Sequence, residues 1–104
     1  MRRFMEPFHL LLTPVVARTT FAAGADGPTE VAGEPMANPW DRTFTPPVNL
    51  TGFPAASVPC GFDPSGLPIG LQIVGRWKDD VTVLAASAAF ESVVPRQQHR
   101  PPAP

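Results

Sequence analysis

"NLTGFPAASVPCGFDPSGLPIGLQIVG", Asn49 to Gly75, sets two extended segments, "AASVPCGF" and "PIGLQIVG", on either side of Asp63-Pro64-Ser65-Gly66. Asp, Pro, Ser and Gly together form turns, so the pattern predicts a β-hairpin whose loop is somewhat longer than the tightest kind. On the second strand Ile69, Leu71 and Ile73 share one face, and Gly70, Gln72 and Val74 share the other. A glycine inside a strand marks a place where another backbone or a helix comes close. Pro59 has no N–H to give to a ladder, so a bulge or a sheet edge is expected in the first strand.

Working outward, Thr45 is placed to accept a hydrogen bond from a first-turn N–H, Pro46 sits where a missing N–H costs nothing, and Gly52 suits a left-handed cap. These signals predict a short helix from Pro46 to Thr51. Downstream, Asp79 and Asp80 are N-cap candidates and Pro95 is a stop, which predicts a helix from Asp80 to Val94. Its strongly polar positions, Asp80, Ser87 and Glu91, cluster together; Leu84, Ala85 and Ala88 lie on one side, and Val83, Ala86, Phe90 and Val93 on the other. Upstream, "FHLLLTPVV" predicts a strand from Phe8 to Thr13, buried on both faces. The Gly-, Pro- and Ala-rich stretch from Ala22 to Asn38 has no sustained period and is expected to be an irregular excursion, while residues 95–104 read as a disordered Pro-rich tail.

A helix that wants burial nearly all round cannot be wrapped by one strand, one hairpin and one short helix. This predicts that the 104 residues are incomplete or have a large partner. The long loop points the same way, because loops of that length are functional or packed against something else. Charge says little: 8 Lys+Arg stand against 9 Asp+Glu, so neither nucleic acid nor a membrane is an expected partner. Cys60 alone excludes an internal disulfide, His9 and His99 give no zinc spacing, and a reducing, cytoplasmic setting is expected. Arg2-Arg3 and the apolar run behind it loosely imitate a twin-arginine export signal, but Glu6, His9 and Pro14 interrupt the run such a signal needs.

In order and spacing these segments resemble the C-terminal end of the amidase signature family, serine hydrolases that cleave amide carbon–nitrogen bonds. Leu11-Leu12-Thr13-Pro14 resembles its buried strand, "FTPPVNLTGFPAASVPCGF" its helix-to-strand passage, and "GLPIGLQIVG" its returning strand, with the helix to Phe90-Glu91 following. The resemblance implies an α/β fold in which residues 1–94 are the C-terminal piece of a large mixed-sheet domain: strand, long loop, short helix, β-hairpin, final helix. It also implies chemistry by a serine nucleophile, a second serine held by a cis peptide bond, and a lysine, without a cofactor. A Gly/Ser-rich loop would supply the nucleophile and the oxyanion donors. Here Ser57, Ser65, Ser87 and Ser92 are isolated and the only lysine, Lys78, lies in the turn before the last helix, so no catalytic residue is assigned. The expected partners are therefore a catalytic N-terminal portion and a small amide. Arg42 falls near where the transamidation branch places an acid that recognises the substrate amine, which favours a hydrolase of small or aryl amides; Asp41 is one residue away. His9 stands where the family often has an acid.

Aromatic and charged side chains in an irregular segment are where binding residues concentrate, so Trp40, Asp41, Arg42 and Phe44 are the candidates for substrate contact. Cys60 reads as a buried structural thiol, Asn49 as a bond to local backbone, and Trp77 as a cap over the final helix. A triad of His9, Ser57 and an aspartate finds no support, because Ser57 lies inside a strand between Ala56 and Val58. The alternative to a partial amidase is a free-standing, noncatalytic module that binds through exposed sheet edges.

Overall fold

The computed structural model describes residues 1–18, 21–25, 27, 29–38 and 43–94. In chain order its elements are α1 (Arg2–Met5), β1 (Leu10–Pro14), β2 (Glu30–Val31), β3 (Glu34–Pro35), α2 (Thr45–Thr51), β4 (Ala55–Phe62), β5 (Pro68–Gly75) and α3 (Asp80–Val93). The hairpin forms where the turn residues put it. The Asp63 carboxylate accepts from the N–H groups of Ser65 and Leu67, both at 2.8 Å, and the Asp63 N–H donates to the Leu67 carbonyl at 2.8 Å. Gly66 takes φ +81°, a conformation that costs glycine little. From there β4 and β5 run antiparallel from Phe62↔Pro68 to Ala55↔Val74, and the register shifts between Pro59 and Gly61. Pro59 thus meets both expectations, since β4 is an edge strand as well as a bulged one.

The sheet order is β1-β5-β4, so β5 is the centre, and β1 pairs with it antiparallel from Leu10↔Gly75 to Pro14↔Leu71. The first strand lies later than the predicted Phe8 to Thr13. Phe8 is still leaving α1: its N–H donates to the Met5 carbonyl at 3.1 Å, and its own carbonyl accepts from Arg76 Nε at 2.9 Å. Nor is β1 buried on both faces, for Leu11 packs against the core while Leu12 is 57% exposed.

Two layers cover the sheet. On the Val74 face, Met5, Phe53 and Val48 pack with Val74 and Leu11, joining α1 and α2 to the strands. On the opposite face α3 lies against β4 and β5, with Val83 and Ile73 buried. Asp79 caps α3 as expected, its side chain accepting from Thr82 N–H at 3.3 Å. In α2 the cap differs from expectation. Phe44 rather than Thr45 is the N-cap residue and no side chain caps it, whereas Gly52 closes the helix in the left-handed region as predicted. The stretch from Ala22 to Asn38 is also less irregular than expected: β2 and β3 form a small hairpin whose turn residues Ala32 and Gly33 both have positive φ, as the favoured two-residue hairpin turn requires.

Helix and strand approach most closely at Gly75, where an added Cβ would lie 2.5 Å from Val83 Cγ2 and 3.1 Å from the Asp79 carbonyl oxygen. Gly75→Ala is therefore expected to destabilise by about 1–3 kcal/mol, because the buried, β-branched Val83 has little freedom to withdraw. Thermal unfolding of Gly75→Ala, Val83→Ala and the double variant in a full-length protein carrying these residues checks this. If this contact is the cause, the double variant should lose less than the sum of the two single losses.

Candidate functional site

At the Pro14 end of β1 the chain passes from the sheet toward the segment that returns as α2, and a buried polar side chain joins the two. Gln72 is 4% exposed, between Leu71 and Ile73 on the central strand. Its side-chain amide donates from Nε2 to Thr13 Oγ1 at 2.9 Å and to the Phe44 carbonyl at 3.1 Å. Thr13, directly opposite Gln72 in the ladder, passes its own proton on to the Pro14 carbonyl at 3.0 Å. Two donors meet two acceptors, so burial of the amide leaves neither hydrogen unpaired.

Backbone contacts complete the junction. Val15 N–H donates to the Gly70 carbonyl and Phe44 N–H to the Val15 carbonyl, each at 3.2 Å, and Val16 forms an isolated antiparallel bridge with Thr43. Gly70 has no side chain for a reason: a Cβ there would stand 2.9 Å from Val15 Cγ2. The close approach expected at this glycine is thus made by a valine side chain. Phe44 itself is 40% exposed, at the start of α2. Trp40, Asp41 and Arg42 lie outside the described residues. Of the sequence-predicted contact residues, the structure therefore places Phe44, fixed by both backbone groups to the sheet. Gln72 is not among the predicted site residues; the signal for it is a lone glutamine inside an otherwise apolar strand.

A cleft of about 240 Å³ is lined by Arg2, Met5, Glu6, Phe53, Arg76 and Trp77. It is a join between α1 and β5. Arg76 donates to the carbonyls of Phe8 and Glu6, and the Arg2 guanidinium lies 3.6 Å from the centre of the Trp77 ring. Trp77 therefore stacks with Arg2. Cys60 is half-buried with its thiol 3.5 Å from the Ile69 carbonyl, and Asn49 is exposed on α2. Ser87 and Ser92 donate to the Val83 and Ala89 carbonyls of their own helix, and Lys78 Nζ lies 4.4 Å from the Trp77 ring centre. Among the described residues no three His, Cys, Asp or Glu side chains group as a metal site, and no helix is long and apolar enough to cross a membrane.

A family model described as amidase matches residues 1–84. A glutamyl-tRNA(Gln) amidotransferase subunit from Granulibacter bethesdensis is 44% identical over 103 residues, covering 96% of this chain and 19% of that protein. Its counterpart from Brevibacillus brevis is 45% identical over 84 residues, 81% of this chain and 16% of the other. Among solved structures, a bacterial aryl acylamidase of the amidase signature enzymes superposes with TM-score 0.73 at 37% identity, over 86% of this chain and 19% of that one. A 6-aminohexanoate cyclic dimer hydrolase complexed with substrate gives TM-score 0.75 at 29% identity, over 97% of this chain and 23% of that one. The chain thus spans about a fifth of the length of the relatives it matches.

Proposed function

The chain belongs to the amidase family, and from that membership we propose that residues 1–94 serve as the C-terminal scaffold and one pocket wall of an enzyme that hydrolyses amide carbon–nitrogen bonds. In that reaction a serine hydroxyl attacks the amide carbonyl, the amine leaves with a proton, and water releases the acid and restores the serine. The nucleophile, its partner serine and the lysine lie outside these residues. The observation that carries the reading is the match of residues 1–84 to the amidase model, together with the superposition on an aryl acylamidase at 37% identity.

Amidotransferase subunits and amide hydrolases both stand among the relatives, and Arg42 favours the second. By the resemblance Arg42 lies near the place where the transamidation branch puts an acid, and a one-residue shift in alignment would put Asp41 there instead. The substrate class we propose is a small or aryl amide. The free-standing binding module finds less support, because α3 leaves Val81 and Leu84 exposed on a surface that suits burial by further protein.

In a full-length amidase carrying these residues, Asp41→Ala and Arg42→Ala are expected to shift the kcat/KM ratio between an aryl and an aliphatic amide by about tenfold or more. Their cost in stability is expected to stay within about 0.5 kcal/mol, as for exposed loop charges generally. A fall in melting temperature with the ratio unchanged would make the pair structural.

A further inference from the structure

We draw no further inference here: the strongest candidate, the outer edge of β1, where Leu12 stands exposed and no other strand pairs among the described residues, restates the burial of this strand in a larger sheet that membership of the amidase family already implies.

Discussion

Assayed alone against small aliphatic and aryl amides, the 104-residue chain is expected to release no product, at least about a millionfold below a full-length amidase carrying the same residues. Acyl transfer needs a nucleophile with a base in hydrogen-bond reach and donors aimed at the developing oxyanion. The hydroxyls here are otherwise engaged or isolated. Ser87 and Ser92 are bonded to carbonyls within α3, Ser65 lies in the hairpin turn, and Ser57 is exposed on the edge strand. Lys78, the only lysine, sits against Trp77 in the turn before α3. Turnover that survived Ser57→Ala together with Lys78→Ala would contradict the assignment of the chemistry to residues outside this chain. Turnover lost in either single variant would make these residues catalytic.

What the sequence made legible was chemistry local to a few residues. The Asp63–Gly66 turn, the Gly52 and Asp79 caps and the break at Pro59 each follow from the backbone preferences of one or two side chains, and each stands where those preferences put it. The outer sides of α3 were legible too, because a wheel with apolar residues in most directions has few ways to be satisfied by so short a chain. Longer-range placement was harder to read. That β5 lies between β1 and β4, with Thr13 opposite Gln72, depends on pairing residues 59 positions apart, which no local propensity encodes. The β2–β3 hairpin escaped notice because its strands are two residues long and its turn sets a non-glycine, Ala32, at positive φ. The shift of the first strand has a similar origin. Arg76, distant in sequence, holds the Glu6 and Phe8 carbonyls and delays the start of β1 to Leu10.

At the candidate site Trp40, Asp41, Arg42 and Phe44 were chosen by their type, and Gln72, which bonds the Phe44 carbonyl, was not among them. Charged and aromatic side chains in an irregular stretch are where binding residues concentrate, whereas the lone glutamine in an apolar strand is an ambiguous signal until its partners are known. A lone polar residue in an apolar strand is equally consistent with an exposed edge. Burial at the centre of a sheet, with Thr13 on one side and the Phe44 carbonyl within reach, turns it into a junction between segments.

Purified alone, the chain is expected to elute in size-exclusion chromatography as associated species and to unfold in denaturant over a broad range without a sharp cooperative step. Among the described residues both edges of its sheet are open to pairing, β1 on one side and β4 on the other, and open edges template association; Pro14 and Pro59 remove single donors and blunt this only in part. The helix adds to the effect. Val83 is buried, while Leu84 is 67% exposed, Val81 77% exposed and Leu12 57% exposed. A large apolar side chain left in water forfeits about 1.5–3 kcal/mol of burial, and several such losses weigh heavily against a total stability of about 5–15 kcal/mol. Replacing Val81 and Leu84 by lysine should then shift the elution toward monomer, since it removes the adhesive surface without touching buried Val83. If the unmodified chain proves to be a monodisperse monomer with one steep unfolding transition, these residues form a self-sufficient domain, and the binding module becomes the better account of what they do.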